Sequence, residues 1–385
     1  MIIKTNLKKI IGIFLTLIFL IGCGSDNNSS KNQTTKTAYI ASTDAHYQTL
    51  GLKKDTVEPW EDGLRTDGKS GSFEWWYSDF LFSDGTSVVV VFYTKLSFDT
   101  YGPAQPMVSI KINYPDGKKV EKQYLQAQGT DINASKLFAD VHIGKSYLTY
   151  KEGNYRLHFE KDGLIFDANM VSILPMTRPK TGVFYFGKDE DKYFAWLPAQ
   201  TSSNVQATII NDGKTNTLLG LGYHDHNWGN KAMYEVMDSW YWGRATIDDY
   251  TIIFSEITAH KDFNSSKIPL FILAKGNKFI KLKGSISIQK NDFVTHTSTK
   301  KKYAQSLTFT QTDITGKNYS ITSKSNKNLL FMDMNLFPFE MGNNPTYIRH
   351  LSDVTLTVTE NNGTKTEHKG QGIVEQMSFD DTVME

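Results

Sequence analysis

The chemically richest stretch of the chain is Leu221–Gly229, which reads Leu-Gly-Tyr-His-Asp-His-Asn-Trp-Gly. Side chains alternate between the two faces of an extended strand, so His224, His226 and Trp228 are predicted to share one face, and the intervening acid and amide the other. An imidazole exchanges protons near neutral pH, and the face of an indole ring stabilises a nearby cation. The stretch therefore predicts proton-transfer chemistry beside an aromatic wall.

A second reactive run, Glu74–Tyr77, reads Glu-Trp-Trp-Tyr and is expected to meet the first. Hydration of an unactivated double bond requires a proton donor, stabilisation of a carbocation and a base for the incoming water. A carboxyl group buried in an apolar pocket can hold its proton at neutral pH and act as the donor. The residues predicted to be catalytic are Glu74, Asp225, His226 and Glu256. The residues predicted to contact a ligand are Trp76, Tyr77, His224, Asn227, Trp228, Trp240, Trp242, Arg244 and Phe254.

Two other roles compete for the same residues. Adjacent aromatic and charged side chains can form a buried polar network that joins two domains, with Arg244 paired to Glu74 or Asp225. The His224-x-His226 pair would place two imidazoles on one face, as some metal sites require. Position 230 is asparagine and no third ligand follows at short spacing, so neither a metal nor a cofactor is predicted.

Short apolar segments separated by turn residues must position these motifs. Ser146–Lys151 and Tyr155–Lys161 flank a Glu-Gly-Asn turn, and Lys192–Leu197 and Gln206–Ile210 precede the histidine-containing stretch as separate strands. Strands of this kind predict an antiparallel meander that closes into a barrel or sandwich. The pattern restarts after the histidine-containing stretch, so the sequence predicts an all-β fold of two domains that meet near residues 234–238.

Composition limits the classes of function. At 385 residues the chain is long enough for two domains. Aromatic residues make up 13%, which favours β structure and large apolar cavities. The net charge is only +1 and no basic stripe is present, so nucleic acid is not a predicted partner.

The N-terminus carries a targeting pattern around the only cysteine. Three lysines, the apolar run Ile10–Leu20 and the Gly22-Cys23 pair resemble a bacterial lipoprotein signal, although an ordinary signal peptide containing a cysteine is the alternative. Residues 1–22 are predicted to be the signal peptide and residues 23–43 a flexible tether, with Cys23 lipidated. The predicted location is the bacterial cell envelope, on the periplasmic face of the outer membrane rather than on the inner membrane.

Five motifs together resemble the AttH-like and carotenoid 1,2-hydratase (hydroxyneurosporene synthase) family. They are Glu74–Tyr77, Asp84–Thr86 with the apolar strand after it, Gly222–Gly229, Trp240–Arg244 and Gly370–Glu375. The resemblance implies two lipocalin-like antiparallel β-barrels packed together, an N-terminal domain over residues 44–235 and a C-terminal domain over residues 236–385. It also implies a family whose members hydrate isoprenoid double bonds, hydrate a phytoalexin or guide cyclisations.

The expected function is therefore a lipid-anchored envelope protein that binds a hydrophobic small molecule in a lipocalin-like cavity. If the protein is an enzyme, it is expected to be a hydratase, isomerase or cyclase of an isoprenoid-like or polyketide-like substrate. One departure concerns the hydratase branch, where a Tyr and an Asp two positions apart are expected and this chain has Phe254 and Glu256. The alternatives are a non-catalytic carrier of apolar ligands, with an export transporter as a candidate partner, and a purely structural envelope protein.

Overall fold

Two antiparallel sheets carry the functional stretches in the computed structural model, which describes residues 37–98, 100–297, 300–333 and 345–379. Each sheet curls into a half-barrel, and the prediction of an all-β fold with two lipocalin-like barrels is confirmed. The predicted signal peptide, Cys23 and most of the predicted tether lie outside the described residues. The prediction of a flexible tether is wrong for Ala38–Ile40, which form a strand paired in the first sheet.

The first sheet contains the Glu74–Tyr77 run and the two histidines. Its thirteen strands are β1 (Ala38–Ile40), β2 (Phe73–Phe82), β3 (Ser87–Lys95), β4 (Met107–Asn113), β5 (Lys119–Leu125), β6 (Asn133–Ala134), β7 (Asp140–Ile143), β8 (Ser146–Lys151), β9 (Asn154–Lys161), β10 (Leu164–Ser172), β11 (Val183–Phe186), β12 (Tyr193–Asn211) and β13 (Lys214–Gly229). The strand order is β5-β4-β3-β2-β13-β12-β10-β9-β8-β7-β6, with β11 joined to β12 and β1 joined to β11. The strand near the start of the folded part, β2, therefore lies beside the last strand of the sheet.

The second sheet follows in the chain and repeats this antiparallel organisation. Its nine strands are β14 (Met237–Ile247), β15 (Tyr250–Ala259), β16 (Lys267–Lys275), β17 (Lys278–Phe279), β18 (Leu282–Thr295), β19 (Lys302–Asp313), β20 (Asn318–Asp333), β21 (Thr346–Thr359) and β22 (Lys365–Ser378). The strand order is β17-β16-β15-β14-β22-β21-β20-β19-β18. Both sheets belong to one compact unit, and the domain boundary predicted between residues 235 and 236 stays a prediction.

Helices are short and connect or cover the sheets. They are α1 (Asp44–Thr49), α2 (Met233–Val236) and the 3₁₀ helices Pro59–Asp62 and Lys261–Phe263. Two of them lie in the region that precedes β2, where the sequence shows no periodicity. No helix in the described part of the chain has the length and apolar character needed to cross a membrane.

The long strand β12 replaces two predicted strands. Lys192–Leu197 and Gln206–Ile210 were predicted separately, whereas one strand of 19 residues runs through both. Its pairing with β13 is irregular between Leu197 and Gln200, where Pro198 stands. Proline has no N–H to donate to a ladder, which accounts for an irregularity within an otherwise continuous strand.

Pairing of β13 with β2 brings the two reactive runs together, as expected. His226 lies opposite Trp76 and Trp228 opposite Glu74 in an antiparallel register. Alternation then sends these side chains into the interior of the first sheet, where Trp76 belongs to the apolar core. The predicted division of β13 into a histidine face and an opposite face therefore agrees with the structure.

Candidate functional site

The histidine face of β13 holds two imidazoles, and each of them lies beside a buried carboxylate. His226 Nε2 is 2.7 Å from Glu74 Oε1, across the β2–β13 pair. His224 Nε2 is 3.2 Å from Asp62 Oδ2, at the end of the first 3₁₀ helix. All four side chains are excluded from solvent. The face therefore contains two acid–base pairs in surroundings where an unpaired charge would be very costly.

Glu74 is surrounded by hydrogen-bond donors. Besides His226, its carboxylate accepts bonds from the backbone N–H of Arg65 at 2.7 Å and of Thr66 at 2.6 Å. The Thr66 hydroxyl donates a fourth bond at 2.7 Å. These bonds occupy the acceptor positions of the carboxylate, so Glu74 orients His226 and makes Nε2 its protonated nitrogen. All four hydrogen bonds of Glu74 are therefore made within the protein.

Asp62 and His224 form the second pair, with Tyr155 as a third member. The Tyr155 hydroxyl donates to Asp62 Oδ2 at 2.5 Å, and His224 Nδ1 lies 2.8 Å from the carbonyl oxygen of Tyr77. Burial alone would lower the pKa of His224, but the charge and hydrogen bond of Asp62 outweigh burial and raise that pKa above its ordinary value. The arrangement therefore favours an imidazolium whose two N–H groups both have acceptors.

Two indoles enclose the ring of His226. Trp76 stacks on it with 4.6 Å between ring centroids and an angle of 11°, and Trp228 lies on it at 4.8 Å and 40°. Among the described residues, His226 Nδ1 has no hydrogen-bond partner and is 3.5 Å from Asp62 Oδ1. Since Glu74 holds Nε2, Nδ1 is the nitrogen that remains to exchange a proton.

A cavity of about 350 Å³ lies against Trp228. We call it the aromatic cavity, because Trp60, Tyr193 and Trp196 also line it. Its volume falls within the range of small-molecule sites, about 300–1,000 Å³. Trp228 contacts both His226 and this cavity, so a single indole separates the proton-transfer group from the space a ligand could occupy.

Asp225 lies on the opposite face of β13, away from the histidines. Its carboxylate accepts hydrogen bonds of 2.7 Å from Trp196 Nε1, the Tyr223 hydroxyl and Asn227 Nδ2. Burial raises the pKa of Asp225 to about 7, although the three hydrogen bonds act to lower it. Asp225 is therefore a carboxyl group that can carry a proton near neutral pH. Trp196 connects it to the aromatic cavity.

Arg244 pairs with neither of its two predicted acidic partners. Its Nε donates to Asp79 Oδ1 at 2.7 Å, and its Nη2 contacts the same oxygen. Arg244 projects from β14 and Asp79 from β2, so this ion pair joins the two sheets. The prediction that Arg244 would meet Glu74 or Asp225 is wrong because Glu74 faces the interior of the first sheet and Asp225 is surrounded by neutral donors.

Tyr77 extends the same contact between the sheets. Its hydroxyl lies 2.7 Å from Glu375 Oε1 and 3.1 Å from Asp79 Oδ2. Arg349 Nε is 3.3 Å from Glu375 Oε1. Burial raises the pKa of Glu375 and outweighs the lowering effect of Arg349. A buried polar network of the kind predicted as an alternative role is therefore present, with different pairs.

The tryptophans of β14 pack against the first sheet and the C-terminal end of the second. Trp242 lies 5.1 Å from Tyr223 and 6.2 Å from Tyr77 between ring centroids. Trp240 lies 5.5 Å from Phe379. Neither tryptophan lines the aromatic cavity, so their ligand-binding role stays a prediction.

Glu256 and Phe254 lie in the core of the second sheet. Glu256 Oε1 is 2.6 Å from Lys290 Nζ. The ring of Phe254 covers Gly243, where an added Cβ would lie 2.3 Å from it, which explains the glycine in the Trp-x-Trp-Gly-Arg motif. The four residues predicted to be catalytic therefore occupy three separate places: Glu74 and His226 together, Asp225 behind them, and Glu256 in another core.

Asp62, Tyr155 and Thr66 complete the histidine face and were not predicted from the sequence. Asp62 and Thr66 lie in the polar segment before β2, and Tyr155 lies on β9. The Asp62-Gly63 pair resembles an ordinary turn, so no local pattern distinguishes these residues. Asp62 lies 162 residues from His224 in the sequence, so their contact could not be predicted from local spacing.

Residues 63–70, Gly-Leu-Arg-Thr-Asp-Gly-Lys-Ser, match the pattern of a phosphate-binding loop. Such a loop follows a strand and opens a helix, whereas this segment follows a 3₁₀ helix and leads into β2. The backbone N–H groups of Arg65 and Thr66 donate to Glu74 and not to an external anion. Residues 63–70 therefore hold the carboxylate of Glu74 in place within the protein.

Metal binding has no geometric support in the described part of the chain. No group of three or more His, Cys, Asp or Glu side chains there could hold a metal ion. Asp62, Glu74, His224 and His226 instead satisfy one another as hydrogen-bonded pairs.

The fold and the site define a class: a two-barrel, lipocalin-like protein with buried acid–base pairs beside an aromatic cavity. The sequence profile of the carotenoid hydratase CrtC family matches residues 130–306. A hydroxyneurosporene dehydrogenase from Chlorobaculum tepidum is 27% identical over 213 residues, which are 45% of this chain. The chain spans about half of that relative, 53% of its length.

Solved structures show the same fold. An AttH-like protein from Nitrosomonas europaea superposes with a TM-score of 0.59 at 16% identity, over 85% of this chain and 98% of that one. Kievitone hydratase from Nectria haematococca gives a TM-score of 0.54 at 12% identity, over 85% of this chain and 94% of that one. These matches support the resemblance to the AttH-like and CrtC carotenoid hydratase family that the motifs predicted.

Proposed function

We propose that this protein binds a hydrophobic small molecule in the aromatic cavity and catalyses a proton-transfer reaction on it, either hydration or isomerisation. The observation that carries the proposal is His226, whose Nε2 is fixed by Glu74, whose Nδ1 has no hydrogen-bond partner among the described residues, and whose ring contacts a cavity-lining tryptophan. The family match to carotenoid hydratases supports a hydratase-like reaction.

Each buried group has a distinct part in the proposed chemistry. Hydration places a proton on one carbon of a double bond and the oxygen of water on the other, and it returns one proton to the protein. Protonated His226 gives its Nδ1 proton to one carbon of the double bond, and Nδ1 takes a proton back from the water that adds to the other carbon. Trp228 lies between His226 and the aromatic cavity, so its indole has to turn aside for this exchange, and it also stabilises positive charge on the ligand. Glu74 orients His226, while the Asp62–His224 pair fixes the charge around it. The relatives bear the names of a dehydrogenase and a hydratase, so the reaction itself does not follow from the fold.

Identification of the ligand comes first in the test. The soluble form that begins directly after Cys23 and keeps β1, purified from its own host, is analysed by native mass spectrometry and extracted with solvent. The extracted compound is then incubated with the protein in ¹⁸O-labelled water, where hydration would place the label in the product. His226→Ala and Glu74→Gln should each lower turnover strongly, whereas Glu367→Gln at the surface should not. Full turnover by both variants would overturn the roles assigned to them.

A carrier without chemistry is the second candidate. It is favoured by the complete burial of Glu74 and His226, which a purely structural network beneath a binding cavity would also show. A carrier should lose affinity on Trp228→Ala and keep its affinity on His226→Ala and Asp225→Asn. An enzyme should keep binding and lose turnover when a catalytic residue is removed.

We propose in addition that the chain is attached to the bacterial cell envelope through a lipid on Cys23. The support is the N-terminal pattern of lysines, apolar run and Gly22-Cys23. Metabolic labelling with an alkyne fatty acid should mark the wild-type protein in the membrane fraction, and Cys23→Ala should abolish the label. Labelled protein in the outer-membrane fraction would support that location, and co-purification of a transporter would support an export partner.

A further inference from the structure

The aromatic cavity adjoins a second cavity of opposite character. This polar cavity, of about 410 Å³, is lined by Leu64, Arg65, Thr66, Asp67, Ser72, Lys136 and Tyr193. Arg65 and Tyr193 line both cavities. A molecule that filled both would have one apolar and one polar end.

Most charged side chains at the aromatic cavity already have partners. Arg178 Nε lies 2.9 Å from Glu61 Oε2, Glu190 accepts from His46 at 3.0 Å, and Asp191 pairs with Lys192 at 2.8 Å. At the polar cavity, Asp67 pairs with Lys69 at 2.6 Å.

Arg65 and Lys136 differ from the other cations. Neither side chain forms an ion pair with any residue that the structure describes. Arg65, where the two cavities meet, feels the charges of Glu74, Glu61 and Asp62 but lies in ion-pair contact with none of them, and Lys136 adds a second positive charge at the polar cavity.

The guanidinium of Arg65 is held in place for binding an anion. Its Nε donates to the carbonyl of Gly63 at 2.9 Å and its Nη2 to the carbonyl of Lys136 at 2.8 Å. It also lies 4.9 Å from the centre of the Trp60 ring. Its Nη1 makes no hydrogen bond to a described residue. A fixed guanidinium with a remaining donor loses little freedom when it binds a carboxylate.

We propose that the natural ligand is an amphipathic carboxylate. Its carboxylate binds Arg65 and Lys136 in the polar cavity, and its apolar body lies against Trp228 and Trp196 in the aromatic cavity. This inference rests on the proposed function for the aromatic cavity and adds the chemical class of the ligand. The backbone N–H of Arg65 donates to Glu74, so the segment that binds the head group also positions the partner of His226.

The test compares two probes that differ only at the head group. Dodecanoic acid and 1-dodecanol are titrated into the protein at pH 8, where the acid is ionised, and binding is followed by tryptophan fluorescence. The acid should bind about tenfold more tightly than the alcohol, since a charge-assisted hydrogen bond to a half-buried guanidinium adds this order of affinity. Trp228→Ala should weaken both probes.

Substitutions of Arg65 and Lys136 test whether these two side chains cause the difference in affinity between the acid and the alcohol. Arg65→Gln and Lys136→Gln should each reduce the affinity for the acid and leave that for the alcohol unchanged. Arg65→Lys keeps the charge and should retain part of the preference. Lys214→Gln, an exposed lysine at the start of β13, is the matched control and should change neither affinity.

The outcomes separate the two proposals. Equal affinities for acid and alcohol, unaffected by Arg65→Gln and Lys136→Gln, would overturn the carboxylate inference while the apolar site stands. Failure of both probes to bind, with no effect of Trp228→Ala, would overturn the proposed function and the inference that rests on it. If Arg65→Gln does not fold, Lys136→Gln and Arg65→Lys decide the question, because Lys136 is exposed to solvent.

Discussion

The two faces of β13 hold carboxylates in opposite kinds of surroundings. On the histidine face, Glu74 and Asp62 each lie beside an imidazole. On the other face, Asp225 has three donors and all of them are neutral: an indole, a phenol and an amide. A cationic partner offsets the cost of burying a carboxylate far better than a neutral donor does. One strand thus carries a paired acid–base system and, one residue away, a carboxyl group whose pKa is raised to about 7.

The largest effect is expected on the histidine face. Glu74→Ala would leave His226 Nε2–H and the N–H groups of Arg65 and Thr66 buried without their acceptor. Removing one member of such a buried pair costs about 3–5 kcal/mol. The free energy of unfolding from urea titration should fall by this order. Glu367→Ala, which removes a surface partner of Lys369, should leave the titration unchanged. Coinciding curves for the two variants would contradict the role of Glu74.

On the opposite face the expected effect depends on pH. The folded-state pKa of Asp225 is raised from 3.8 to about 7, so the folded protein binds this proton more tightly than the unfolded chain. Its stabilising contribution is complete below about pH 4 and is lost as pH rises to 7, by as much as about 4 kcal/mol. Asp225→Asn should remove this loss. Urea midpoints of the wild-type protein and of Asp225→Asn are measured at pH 4, 5.5, 7 and 8. If the midpoints of the two proteins changed with pH in the same way, the raised pKa of Asp225 would be refuted.

A buried imidazole that has no hydrogen-bond partner among the described residues gives a third case. His350 on β21 has no hydrogen bond at either ring nitrogen within the described residues, and burial lowers its pKa from 6.5 to about 4. The neutral form is favoured in the folded state, so stability is complete above pH 6.5 and falls as pH drops to 4, by about 3 kcal/mol. His350→Leu should weaken this acid sensitivity. The measurement is the urea midpoint between pH 7 and 4, where an unchanged slope would exclude His350 as its source.

The smallest effect should come from removing one neutral donor. Tyr223→Phe deletes a hydrogen bond of 2.7 Å to Asp225 that lowers the pKa of this carboxyl. The pKa of Asp225 should therefore rise further, and the free energy of unfolding at pH 8 should fall by about 1 kcal/mol. At pH 4, where Asp225 is protonated, the loss should be smaller. An equal loss at both pH values would assign the effect to packing instead.

The sequence predicted the two faces of β13 and their pairing with β2, but it did not predict every residue that contacts those faces. Alternation along Leu221–Gly229 predicted which side chains share a face, because a strand has a period of two. Pairing with Glu74–Tyr77 was also predicted, and the register confirms it. The fold class followed from turn spacing, and the resemblance to the family followed from five motifs.

Contacts that depend on closure of the sheets could not be predicted. Asp62 and Tyr155 reach His224 only because the first sheet curls. Glu256 was grouped with Asp225 because it is acidic and lies near the same motifs, yet the face of β15 on which it lies is turned to the second core. Which face of a strand meets which sheet is a tertiary property, and local pattern does not contain it.

The position of β13 beside β2 also determines when the site can exist. His224 and Tyr77, which touch in the folded protein, are 147 residues apart in the sequence. Ordering so long an intervening chain costs entropy before any contact is gained, so pairing of this kind forms slowly. Until the two strands meet, the aromatic edge of β2 lacks its neighbour and is open to association with other chains. The acid–base pairs need both strands, so only a chain that has folded through residue 229 possesses them.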